Sequence, residues 1–445
     1  MVIELDTDWE PRESPHASGW RIGRRSRLVV GLLVCLLLVS GMAGSATPAP
    51  IWRLVASVPA AFGDFSVLSG DRVFVMRQQD SGTTVDAYGL PGGRHLWRAA
   101  LSASVDMLAV QKAAGELLAE AAGVERGQRV TALDVATGRV LWRLDDAVFY
   151  QAVQSAQPDS SHVLLMVAPP SGPNQLRLVD VRSGAAIWSR VLMPGTTTYS
   201  LGSGKLVLDS PAGPVWILDE DTGRSLLTAR LDTGPPPVDQ SLTPGLGTAF
   251  YAIGGRLVIT YHRNIGGTDI SAYDMSTVER RWHLDVDDSI LNVADCAAVL
   301  CLSSEHGMTA IDPATAERRW TTTRWTFGGA QGGLIDATDV PNPANQLNHT
   351  VLLDPGTGRT VLDLRDWSPQ EPIVSGQPAT LVTGRRGRLG AWVGSLNQDR
   401  TAVRPQAFLP DAIRDRCVLD RAGRTYLACA TYDGPVDVWV DRPAQ

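Results

Sequence analysis

Apolar residues in this chain fall in short runs broken by Gly, Asp, Ser and Thr, with little helical spacing. The clearest stretch is 130–144. Val130, Ala132 and Leu133 belong to a run that ends at Asp134, and Ala136-Thr137-Gly138 forms a tight turn. Gly138 can take a positive φ there without steric cost. Val140, Leu141 and Trp142 begin the return. The phrase recurs from Asp86 to Trp97, and again over 178–188, 217–227, 272–282, 310–320 and 352–362. Its Trp, or the residue in its place, stands at 97, 142, 188, 227, 282, 320 and 362, spacings of 38 to 55 residues. Self-similarity at such a period predicts a repeat architecture.

Two further apolar runs precede several copies: 65–68 and 72–76, 249–253 and 256–261, 290–294 and 298–302. Four short strands per repeat predict a β-propeller blade. Near the end of the chain, 380–383, 390–393 and 401–408 read as one degenerate blade. The stretches 417–419, 426–432 and 436–440 supply three strands of another. Trp52-Arg53-Leu54 echoes Trp142-Arg143-Leu144, so 51–58 reads as an orphan outer strand. It would complete the last sheet and close the ring, which removes unpaired edges. A plain count of pieces gives nine. Propellers commonly have up to about eight blades, so the expectation is an all-β propeller of eight four-stranded blades, with seven the alternative and one piece an insertion or part of a neighbour.

Residues 28–46 form a charge-free apolar stretch preceded by Arg21, Arg24, Arg25 and Arg27. A helix of about 20 apolar residues spans a bilayer, and basic residues before it keep the N-terminus in the cytoplasm. The expected organisation is a polar leader at 1–27, a transmembrane anchor at 28–46, a linker at 47–50 and an extracellular propeller at 51–445. A cleaved signal peptide, with its h-region at 28–39 and small residues at 44–46, is the alternative and exports the same domain. The chain has 445 residues, 44% of them hydrophobic and 20% charged, with a net charge of -7. That supports a large core and gives no electrostatic reason for nucleic-acid binding.

Little in the sequence carries chemistry. Cys296 and Cys301, and Cys417 and Cys429, form two local pairs that each bracket a hairpin. Two disulfides stapling the first two strands of a blade are expected in an oxidising compartment. No CxxC or His pair supports a metal reading. His95, His162, His262, His283, His306 and His349 are scattered singly, and the acids at 219–221 and 285–288 lack the compact oxygen set that calcium needs. No catalytic residue and no metal ligand is assigned. Tyr150, Tyr199 and Tyr251 lie about 50 residues apart near the starts of innermost strands. At equivalent positions they would ring a channel mouth and anchor a ligand or partner; packing as ordinary core aromatics is the alternative.

The repeat resembles that of the PQQ-like β-propeller superfamily over residues 51–445. The match is best at Asp134, Thr137, Gly138 and Trp142, and at Asp180, Gly184 and Trp188. Asp219-Thr222-Gly223 and Asp354-Thr357-Gly358 keep the turn but have Leu in place of Trp. Asp274 with Trp282 and Asp312 with Trp320 keep the ends but lose the Gly. That superfamily includes quinoprotein alcohol dehydrogenases, the outer-membrane barrel assembly lipoprotein and sensor domains of membrane kinases. The resemblance implies that Trp97, Trp142, Trp188, Trp282 and Trp320 pack between neighbouring blades, a role suited to a large ring with one N–H donor. The expected function is a non-catalytic, membrane-anchored and monomeric propeller outside the cytoplasmic membrane. It would act as a scaffold for another protein or an envelope component, without a cofactor. The alternatives are a quinoprotein dehydrogenase using PQQ with calcium, whose typical vicinal Cys-Cys pair is missing here, and a ligand-sensing ectodomain.

Overall fold

The structure, a computed structural model, describes residues 52–441 apart from 122–127, 150–159, 211–213, 232–247, 264–265, 341–348, 371–378, 385–389, 398–401, 422–423 and the single positions 81, 203, 332 and 366. The expected anchor at 28–46 lies outside the described residues. Among those described, no helix is long and apolar enough to cross a membrane.

The described residues form nine antiparallel four-stranded sheets. Blades 1 to 8 are consecutive: 65–101, 107–145, 147–191, 197–229, 248–286, 290–322, 325–365 and 368–409. First strands of neighbouring blades approach one another, so the first strand of each sheet is innermost and the fourth outermost. Blade 9 takes three strands from 412–441 and its outermost strand, Trp52–Val58, from the other end of the propeller; this strand pairs with Val436–Asp441. The orphan strand therefore closes the ring.

Nine blades correct the expectation of eight. Blade 8, the piece read as degenerate, has an innermost strand of only Ser368–Pro369. Its other strands, Ala379–Gly384, Ala391–Leu396 and Val403–Leu409, nevertheless form a separate sheet. Both faces of that sheet are buried: Leu381 and Leu396 pack on Leu352 and Leu364 of blade 7, while Val382 and Val393 pack on Leu427 and Trp439 of blade 9. Each of the nine seams holds its own apolar cluster. Removing a blade would open two apolar faces, which a layered fold does not tolerate.

The repeated phrase is the device that joins blades. Asp134 Oδ1 accepts from the Thr137 amide and hydroxyl, both at 2.7 Å, and the Gly138 amide donates to the Asp134 carbonyl at 2.8 Å. Asp180, Asp219 and Asp354 repeat this with Ser183, Thr222 and Thr357. The tryptophan of the preceding blade lies on the turn glycine. A Cβ on Gly138 would stand 2.4 Å from the Trp97 ring, and one on Gly184 2.7 Å from Trp142. At Gly138 and Gly184 glycine suits both the φ of 68–71° and the space the indole fills, while the corresponding place under Trp282 is held by Ala316 at φ 63°. Each indole Nε1 then donates to the carbonyl just after the Asp: Trp97 to Val135 (2.9 Å), Trp142 to Val181 (2.6 Å), Trp188 to Glu220 (2.8 Å), Trp282 to Pro313 (3.0 Å) and Trp320 to Pro355 (2.8 Å). Where blade 4 has Leu227 in place of Trp, the next turn carries Val278 at φ 61° instead of Gly.

Two readings shift in register. Ala132 pairs with Trp142, and the turn Asp follows two residues later; in blade 1 Ala87 pairs with Trp97, so Gly89 holds that place and Asp86 does not. In the closing strand Val438 pairs with Ala56, which makes Ala56 the counterpart of Trp142. Trp52 instead donates to Gln406 of blade 8 at 2.9 Å. Both errors come from residues of the right kind standing a few positions out of place.

Candidate functional site

The structure scatters the residues singled out from sequence. Cys296–Cys301 and Cys417–Cys429 form disulfides, each joining the first two strands of its blade, in blades 6 and 9. The five tryptophans are spread over five seams. Tyr150 lies outside the described residues. Tyr199 packs between blades 4 and 5, its ring 4.9 Å from Phe250 and its hydroxyl donating to the Thr248 carbonyl. Tyr251 packs in the seam between blades 5 and 6, where burial pushes its phenol above the ordinary range. These two rings pack in different seams.

A set of side chains does converge where the ring closes, between blades 9 and 1. Its centre is Asp86, completely buried on the third strand of blade 1. Strand pairing sets Arg77 and Arg98 beside it, and the bulge before Tyr88 brings in His95. Arg98 Nε donates to Asp86 Oδ1 at 2.7 Å, His95 Nε2 stands 2.8 Å from the same oxygen, and Arg77 Nη1 donates to Oδ2. Burial alone would raise this carboxyl. The hydrogen bonds from Arg98 and His95 and the charges of Arg77 and Arg98 outweigh it and hold Asp86 below its usual range.

Arg77 carries this order outward into the loop 59–64. Its Nη2 donates to the Pro59 carbonyl, and its Nε lies 3.2 Å from Asp64 Oδ2, which also accepts from the Ala61 amide at 2.7 Å. The loop so fixed presents Phe62, 68% exposed, and leads into Phe65, 47% exposed. Gly434 of blade 9 sits against it: a Cβ there would stand 2.9 Å from the Ala60 carbonyl and 3.5 Å from the Phe62 amide. Two residues away is Tyr432, 48% exposed.

Blade 9 adds a cation. Its innermost strand, Ala412–Asp420, pairs Ala412 with Thr431 and next Cys417 with Cys429, so 413–416 arch out opposite the single residue 430. The arch places the Arg416 guanidinium over the Phe62 ring at 5.0 Å. At the opposite end of the same strand, Asp420 accepts from the Gly70 amide of blade 1 at 2.7 Å and from Lys112 of blade 2 at 3.0 Å. One carboxylate thus spans three blades.

Sequence reading missed the Asp86 network, the arch and the exposed aromatics. The aromatics sit in loops and the arch interrupts a strand, so neither has a period. The three side chains around Asp86 could be found only through correct strand pairing. A second missed cluster lies at the end of blade 7, where His349 Nε2 is 2.6 Å from Asp363 and Nδ1 3.7 Å from Asp339, with Trp325 edge-on at 5.3 Å. Among the described residues no three His, Cys, Asp or Glu side chains are grouped to hold a metal ion.

Residues 43–215 match the protein family described as outer membrane protein assembly factor BamB. The resemblance of the repeat phrase to PQQ-like propellers is shown over that stretch. No curated protein matches the chain. Among solved structures it is similar to BamB from Moraxella catarrhalis at 14% identity, covering 88% of this chain and 99% of that one, with a TM-score of 0.39. It is also similar to a europium-containing methanol dehydrogenase (12% identity, 87% and 86% covered, TM-score 0.43). A third likeness is the quinohemoprotein alcohol dehydrogenase ADHIIG from Pseudomonas putida HK5 (12% identity, 89% and 78% covered, TM-score 0.40).

Proposed function

We propose that this propeller is a non-catalytic scaffold of the cell envelope, held at the membrane by residues 28–46, that binds another protein through the surface at its ring closure. The observation that carries the reading is Phe62: a large aromatic side chain, mostly in solvent, on a loop fixed by a buried ion cluster. Water exposure of such a ring costs free energy, and holding it rigid does nothing for the blade behind it. Rigid exposed aromatics flanked by arginine are the side chains that dominate protein–protein association. The match of residues 43–215 to a family described as an assembly factor supports the same reading.

The test is a photo-cross-linking amino acid placed at position 62 in the full chain, in membranes of the producing cell. Position 226, an exposed leucine on the outer strand of blade 4, is the control. A discrete adduct from 62 and none from 226 is the expected result. No adduct, or the same adducts from both positions, would overturn the reading.

A further inference from the structure

The closure surface combines two features that are fixed independently. Phe62 is set by the Asp86 network through Arg77, and Arg416 by the arch of blade 9, whose end is pinned by the Cys417–Cys429 disulfide. Cys417 Sγ also lies 3.5 Å from the Ile413 carbonyl, across the base of the arch. Of the four arginines in this region, three are committed to acids: Arg77 and Arg98 to Asp86, and Arg414 to Asp415 at 2.6 Å. Arg416 has no ion pair among the described residues; its contact is the Phe62 ring. A guanidinium stacked on a ring keeps its edge donors open, is weakly hydrated, and matches the planar fork of a carboxylate. With both groups held beforehand, little ordering entropy is left to lose on binding.

We infer that this surface takes a segment of a partner protein in which an Asp or Glu adjoins apolar side chains. The carboxylate meets Arg416, and the apolar groups cover Phe62 and Tyr432. The inference rests on the scaffold reading above and supplies the chemistry of its partner. The complementarity is local: Asp415, the nearest acid in sequence, is already held by Arg414 and does not occupy the Arg416 donors.

The probe is a phage-displayed random peptide library panned on the oxidised full-length chain in detergent. The expected consensus sets Asp or Glu beside aromatic or branched aliphatic residues. A synthetic peptide of that sequence should bind at least about tenfold more weakly to Phe62→Ala and to Arg416→Ala, the loss of one hot-spot contact. Arg416→Lys should lose most of the same affinity, because an ammonium lacks the planar fork. Leu226→Ala should bind as the parent does. The three side chains replaced, Phe62, Arg416 and Leu226, are exposed or lie at the surface, so equal melting temperatures confirm that the variants fold.

A consensus without an acid, or affinity indifferent to Arg416→Ala, overturns the inference but leaves the scaffold reading intact if Phe62→Ala still weakens binding. Indifference to both substitutions, or no enrichment at all, overturns the inference, and the cross-linking at position 62 then decides the scaffold reading by itself. Binding to phosphatidylglycerol vesicles that both substitutions abolish, without peptide enrichment, would assign Arg416 to a lipid phosphate and overturn it as well.

Discussion

The seam between blades 2 and 3 and the seam between blades 9 and 1 join the same kind of surface by opposite means. In the first, the Trp142 indole fills the space over Gly184 and donates to Val181. In the second, Ala56 holds the place of the tryptophan against Gly93, where a Cβ would stand 3.3 Å from the Ala56 methyl. The Gly92 amide reaches the Val55 carbonyl at 2.9 Å, and charge supplies what the indole does not: the Asp86 network at one end and the Asp420 bridge at the other. An apolar seam tolerates exchange, as Leu227 and Val278 show. A buried charge network is satisfied in few arrangements and is costly in the others. Within blade 9, Trp52–Val58 pairs with Val436–Asp441 from the other end of the ring, with no short connection to set their register, and the selective device stands at the seam this blade forms with blade 1.

The largest expected effect tests that division directly. Asp86→Ala leaves Arg77, Arg98 and His95 around an empty carboxylate site and should cost about 3–5 kcal/mol, the loss typical of breaking a buried ion pair from one side. Urea unfolding of this variant beside Trp142→Ala gives the comparison. If the aspartate variant loses clearly less than the tryptophan variant, the closing seam does not depend on charge.

A third seam sharpens the contrast. Between blades 7 and 8 the tryptophan position is Leu362, and Trp367 packs instead against Gly394, where a Cβ would stand 2.9 Å from its ring. Asp336 lies on the same strand face as Leu334, which lines this seam. Its Oδ1 is buried without a partner, and burial pushes its carboxyl up to about 6. Below about pH 4 the group is protonated both folded and unfolded and costs nothing. As the pH rises to about 6 the unfolded chain ionises first, and stability falls by up to about 3 kcal/mol. Asp336→Asn should therefore raise stability at pH 7.5, with a gain that shrinks toward zero near pH 4 in pH-dependent urea melts. A gain independent of pH would show that this carboxyl is not the source.

The smallest effect is a coupling. Gly184→Ala should destabilise through its positive φ and through the Trp142 ring. In a Trp142→Ala background only the first cost remains. A double-mutant cycle should give about 1–2 kcal/mol of coupling, and additive effects would dissociate the glycine from the tryptophan.

What the sequence reveals follows the same division. The phrase around Asp134 repeats because each copy performs one mechanical task, so its period exposes the blades, the seam tryptophans and the hairpin disulfides. Blade 8 reads in the sequence only as a degenerate piece because two residues, Ser368 and Pro369, leave almost no pattern for an innermost strand. Asp86 and Trp52 were drawn into the phrase by residue type, and only the pairing of Asp86 with Arg98 and of Trp52 with Asp441 shows them to be elsewhere. Phe62 and Arg416 meet across the whole length of the propeller, in a loop and an arch with no repeat to announce them.

The divided ninth blade also fixes an order of events. Trp52–Val58 is made before the eight blades that follow, and its partner Val436–Asp441 comes after them. Through that interval the early strand is an unpaired edge, open to any other strand with free amides. The ring's last pairing has the greatest sequence separation of any among the described strands, and such late, non-local contacts slow folding. In kinetic terms the propeller is a bracelet that stays open until its final link is made, and whatever delays that link lengthens the time the chain is exposed to mispairing.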